Sequence, residues 1–114
     1  MEVIVNIKGK DWKYKLLSDK TYDKLHGDTS NGITLPDECE VHIRKSTMNS
    51  NILRHESFHV FYFSSLVETA DLTALQTEEI ACEIFGEHGP EMMSICDYVL
   101  NKFLLKKRKA LKEE

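Results

Sequence analysis

Ile52-Leu53-Arg54-His55-Glu56-Ser57-Phe58-His59-Val60-Phe61-Tyr62-Phe63 decides how this chain is read. Together with Leu66 and Val67, its apolar residues populate nearly every side of a helix. A helix that is apolar all round is a buried one. His55, Glu56 and His59 are then polar groups on a central helix and need partners. Residues four apart stack on one helical face, so both imidazoles can point at one metal ion. Glu56 sits beside the first of them, where its carboxylate can reach a metal-bound water rather than the metal. That arrangement predicts a zinc-activated nucleophile with its own general base.

An H-E-x-x-H motif is short, and a second feature supports it: Glu78-Glu79-Ile80-Ala81-Cys82-Glu83, about one loop and one helix downstream. A third protein ligand from there completes a catalytic zinc site and leaves the fourth position for water. Glu78 and Glu79 are both available and point about a hundred degrees apart on a helix. Glu79 shares a face with Glu83, which can then accept a hydrogen bond from the free ring nitrogen of a zinc-bound imidazole, His55 being the favoured one. Glu78 falls nearer the helix start, where a negative charge is favourable. The expected metal set is His55, His59 and Glu79 around one Zn2+ per chain, with Glu78 the alternative third ligand; other divalent ions suit such a donor set too. Zinc lowers the pKa of its water, Glu56 takes a proton from it, and the hydroxide attacks a peptide carbonyl. His88, Tyr62 and Tyr98 are candidates for stabilising the oxyanion. An edge strand over Ser30 to Leu35 is the expected place for an extended peptide to pair. His26, in a Gly/Asp loop, and His42, on the solvent face of a strand, read as structural.

The bulk properties fit this scale. With 114 residues, 41% hydrophobic and 30% charged, the chain supports one domain, 1–114, with a basic helical tail over about 105–114. A net charge of −4 argues against a general nucleic-acid binder. No apolar run has the length of a membrane span, and the first residues lack the layout of a signal peptide, so a cytoplasmic protein is expected. Cys39, Cys82 and Cys96 are odd in number and have no CxxC spacing, which predicts reduced thiols rather than a disulfide framework.

Along the chain, Val3, Val5 and Ile7 alternate with polar partners, as do Trp12, Tyr14 and Leu16, which predicts a hairpin turning at Gly9-Lys10-Asp11. Residues 18–31 have loop composition, with a short helical turn near Tyr22 to Leu25. Gly32 to Leu35 and Glu40 to Arg44 are strand candidates separated by a turn at Pro36. After the buried helix, a connection over 68–76 ends in a capping box at Thr73-Ala74-Leu75-Gln76. A second helix runs to about Phe85, closed by Gly86 or by Gly89-Pro90. A third begins at Pro90, with Met92, Ile95, Cys96, Val99, Phe103 and Leu104 as its apolar stripe.

Strands, a helix bearing Arg54-His55-Glu56-Ser57-Phe58-His59, then a helix bearing Glu79, Cys82-Glu83, Phe85 and Gly86, together resemble a minimal gluzincin-type zinc metallopeptidase. The chain is similar to the small phage- and prophage-associated metallopeptidase-like proteins of bacteria, and more distantly to the ImmA/IrrE family. The resemblance covers the Trp12 strand through Gly86. The family's downstream motif has Asn or Asp where this chain has Glu83, which lengthens that arm. The resemblance implies an α+β, zincin-like fold: a small twisted mixed N-terminal sheet packed on the active-site helix, then a glutamate helix and a C-terminal helix. It also implies single-zinc peptidase chemistry on a peptide or protein substrate, and supports Glu79 as the third ligand. The competing expectation is a non-cleaving, zinc-stabilised binding or regulatory module of phage or prophage origin.

Overall fold

The alternation of Val3, Val5 and Ile7 against Trp12, Tyr14 and Leu16 is realised as the hairpin of β1 (Glu2–Ile7) and β2 (Lys10–Leu17), with Val3 opposite Tyr14 and Val5 opposite Trp12. Lys8 and Gly9 make the turn, at φ 51° and 84°. Two successive left-handed residues match the twist of the flanking strands. The computed structural model describes residues 1–65 and 73–113. The remaining elements are α1 (Asp19–His26), β3 (Gly32–Leu35), β4 (Glu40–Arg44), a 3-10 turn (Lys45–Thr47), α2 (Ser50–Ser65) and α3 (Ala74–Glu113). This is an α+β fold with a four-stranded mixed sheet.

Strand order is β1-β2-β4-β3. β4 runs parallel to β2, with Tyr14 beside Val41 and Leu16 beside Ile43, and antiparallel to β3, with Thr34 beside Val41. The period of two sends Tyr14, Leu16, Val41 and Ile43 to one face. There they meet Leu53, Val60 and Phe61 of α2 and Val99 and Phe103 of α3, all buried. Beneath α2, the Tyr14 hydroxyl shares a 2.8 Å hydrogen bond with Ser57 Oγ, and burial drives the phenol pKa far above its usual range.

The opposite face carries α1. Ser18 caps it, its Oγ accepting from the Thr21 amide, and Tyr22 is fully buried. The helix is longer than the single turn expected from composition, because a loop-like sequence is held by tertiary contacts. Arg44 reaches up from β4 to Asp23 at 2.6 Å, donates to the carbonyls of Gly27 and Ser30 at 3.2 Å each, and lies 4.5 Å from the Tyr22 ring centroid. His42, expected to face solvent, is instead 7% exposed. It donates from Nε2 to Glu40 Oε1 at 2.8 Å, and its Nδ1 shares a 2.8 Å hydrogen bond with Nε2 of His26, which belongs to α1 rather than to a loop. Lys15 closes the row, 3.0 Å from the same Glu40 oxygen. α1 covers what would otherwise have been the wet side of the sheet.

The helices expected on either side of Pro90 are one helix of 40 residues with Pro90 inside it. The capping box forms as expected, with the Thr73 amide donating to Gln76 Oε1 at 2.9 Å and the Gln76 amide to Thr73 Oγ1 at 3.1 Å. Residues 68–72 of the expected connection lie outside the described residues. Gly86, Gly89 and Pro90 cost about 5 kcal/mol in helix propensity together. Burial of Ile84, Met92, Val99 and Phe103 contributes about 1.5–3 kcal/mol apiece. Packing on both sides of the proline therefore outweighs the local break. Gly86 and Pro90 are exposed, so the carbonyl that Pro90 cannot satisfy has access to water.

The α1 clamp has a pH dependence with a definite sign. Burial, then the neighbouring His42, lower the His26 pKa, while hydrogen bonds from His42 and Lys15 hold Glu40 below its ordinary value. Both folded pKa values are depressed, so the stability they carry is complete above the unfolded values and is lost as pH falls through the folded ones. For His26 the loss begins below the ordinary histidine value of about 6.5. The urea midpoint is expected to fall between about pH 7 and 5.5, and His26→Gln to flatten that part of the curve.

Candidate functional site

Helix α2 starts where the Asn49 side chain accepts from the Ile52 amide at 2.9 Å, satisfying an orphan donor of the first turn. One turn later the helix presents His55 and, four residues on, His59. Their ring centroids are 5.0 Å apart with planes at 76°. The His55 side chain is 71% exposed. His59 is half-buried and stacks on Phe63 at 6.3 Å.

Glu56 points the other way, into the seam between α2 and β3, and is 6% exposed. A carboxylate so placed needs a partner. Thr34 provides it: its Oγ1 is 2.9 Å from Glu56 Oε1 and 3.2 Å from the Glu56 main-chain oxygen, so one hydroxyl proton is shared between side chain and backbone. The second carboxylate oxygen, Oε2, is 3.7 Å from His55 Nε2. Gly32, on the same face of β3 as Thr34, makes room. A Cβ there would stand 3.0 Å from Glu56 Cγ and 3.1 Å from Ile52 Cγ2. The result is a groove lined by Asn31, Gly32, Asn51, Ile52, His55 and Glu56. β3 forms its wall and is an edge of the sheet, as expected for the Ser30 to Leu35 segment.

The glutamates of α3 stand elsewhere. Glu78, Glu79 and Glu83 are exposed and surround a shallow depression with Leu75 and Cys82. Among the described residues no group of three His, Cys, Asp or Glu side chains is assembled that could hold a metal ion. His55 and His59 are of the residue type that could hold a metal ion from one helical turn, and Glu56 Oε2 lies beside the first of them. Neither Glu79 nor Glu78 joins them as a third ligand. The three oxyanion candidates do not line the groove either. Tyr98 is exposed with Lys102 Nζ 5.5 Å from its ring centroid, and Tyr62 is half-buried among Phe58 and Phe63. His88 stacks on Phe61 at 5.8 Å and accepts from Lys8 Nζ at 3.1 Å.

Thr34 and Gly32 are the members of the site that the sequence reading missed. Their spacing of two in a strand placed them on one face, and that face was the one α2 had to cover. The cysteines stand apart: burial raises the Cys96 thiol pKa, while Cys39 is half-buried and Cys82 exposed, all three as free thiols. Comparison of the chain with protein-family models, curated proteins and solved structures finds no match.

The Gly32 contact is testable against a second glycine. Gly32→Ala drives a methyl into the Glu56 and Ile52 side chains and is expected to cost about 1–3 kcal/mol. Gly86→Ala, where a Cβ meets nothing within 4 Å, is expected to stabilise α3 by about 0.5–1 kcal/mol. Urea unfolding of both variants reads the opposite signs.

Proposed function

We propose that this chain is a cytoplasmic zinc-dependent peptidase in which Glu56 handles the proton and His55 and His59 hold the ion. The observation that carries the reading is the disposition of α2. Two imidazoles one turn apart share a face, and beside the first of them a buried carboxylate is anchored on one oxygen by Thr34, its other oxygen 3.7 Å from His55 Nε2. Zinc, when bound, supplies a Lewis acid and lowers the pKa of water. Glu56 is suited to take a proton and return it to a departing amine, because Thr34 fixes its Oε1 while Oε2 stays on the His55 side. The outer edge of β3, which no described strand pairs, is suited to pair with an extended peptide through backbone hydrogen bonds. Glu79 remains the proposed third ligand, and in this reading α3 has to present it to the two rings. No described helix is long and apolar enough to cross a membrane.

A second reading is favoured by the exposed position of Glu78, Glu79 and Glu83 on α3. In it the chain is a zinc-stabilised binding or regulatory module of phage or prophage origin that engages its partner without cutting it.

Elemental analysis of the protein as purified comes first, with about one zinc per chain expected, falling in His55→Ala and His59→Ala. For a peptidase, cleavage of a peptide library is chelator-sensitive and disappears in Glu56→Gln while zinc content is kept. Zinc content near one with no cleavage, and a partner bound equally by Glu56→Gln, selects the second reading. Metal-free protein that takes up no added zinc removes both.

A further inference from the structure

Five exposed or partly exposed side chains of α3, Leu75, Cys82, Met93, Leu104 and Leu111, are separated by 7, 11, 11 and 7 residues. Steps of 7 and 11 each return a side chain to within about 20° of one line along a helix. On a regular helix they therefore fall along one line, opposite Ile84 and flanked on one side by the core residues Val99 and Phe103, about 120° and 80° round the helix. The stripe is a palindrome about Met93: Leu75 mirrors Leu111 and Cys82 mirrors Leu104. Leu75 and Leu111 are 64% and 69% exposed, high values for leucines in regular structure.

The charges of the same helix are divided about the same centre. From Ala74 to Glu91 there are five glutamates and no lysine or arginine; from Met92 to Lys112 there are six lysines and arginines and one aspartate. The halves of one helix cannot reach each other, but those of two antiparallel copies can.

We propose that α3 binds a second copy of this chain, antiparallel, about a two-fold axis at Met93. This inference goes beyond the peptidase reading and does not rest on it, and it uses Glu79 differently: a Glu79 engaged across the seam is not presented to a metal. In that register Met93 meets its own mate, Leu75 meets Leu111, and Cys82 meets Leu104. A two-fold axis perpendicular to the helices keeps each residue on its own flank of the seam. Glu79 and Arg108 then share one flank at nearly the same height, and Glu78 and Lys107 share the other. Parallel pairing would set glutamate against glutamate and lysine against lysine, so charge selects the orientation while the apolar stripe supplies the affinity. An isologous contact of this kind closes on itself and stops at two chains. Phe85, Tyr98 and Leu105 lie off the stripe and take no part.

The experiment is sedimentation equilibrium on the full chain, with circular dichroism to check each fold. At roughly 100 µM the expected mass is twice the 13.2 kDa of one chain. Met93→Glu sets like charges together on the axis and is expected to raise the dissociation constant at least about tenfold. Two double variants give the decisive result. Glu78→Lys with Glu79→Lys, and Lys107→Glu with Arg108→Glu, are each expected to be monomeric alone and to form a one-to-one dimer on mixing. Loss of a merely structural contact in either chain would not be repaired by adding the other. A monomer at every concentration overturns the proposal, as does a dimer unaffected by Met93→Glu or a mixture of the two variants that stays monomeric.

Discussion

The contact between β3 and α2 governs this molecule. A carboxylate at 6% exposure is costly to bury without a partner, by several kcal/mol. Glu56 meets that cost with one hydroxyl, from Thr34, on a strand that can come close only because position 32 has no side chain. The seam thus sets three things together: the orientation of Glu56, the rotation of α2 that turns His55 outward and leaves His59 half-buried, and the line of the sheet edge beside them. Tyr14 and Ser57 repeat the device one residue further along the helix, a phenol and a hydroxyl satisfying each other in the core. α2 is consequently held by polar contacts at fixed points as well as by apolar area.

The sheet was legible because its signal is local. Alternation in β1, β2 and β4 and the punctuation at Gly9 and Pro36 survive in the fold almost unchanged. α2 was legible as a helix, but the expectation that it is buried on every side fails: His55 and Phe63 stand 71% and 45% exposed on its outer face. What failed was what depends on distant partners. His42 alternates as a solvent-facing residue would, and only α1, which reads as loop, makes its face an interior one. Pro90 reads as a helix start, and only the core contacts on both its sides carry the helix through. The same holds at the site. The His55, Glu56 and His59 grouping is written in consecutive turns of one helix, whereas Thr34, Gly32 and the setting of Glu79 are matters of how separate elements meet.

α3 is a helix with two sides and two ends. One face is core, and beside it runs a line of five exposed side chains from Leu75 to Leu111. One end is acidic and the other basic, and the basic end also favours the negative pole of the helix dipole. Lys106 ties this end to the first strand through the Glu2 carbonyl, so the basic half stays registered against the sheet.

The parallel pairing of β2 with β4 has a kinetic corollary. The β1–β2 hairpin closes through two residues, Lys8 and Gly9, and can form early and alone. β4 cannot take its place until the chain from Ser18 to Cys39, with α1 and β3 in it, has looped back. Closing that excursion carries a chain entropy that only the completed pairing recovers. Completion of the sheet therefore waits on the β2–β4 junction, where Tyr14 and Val41 lie side by side.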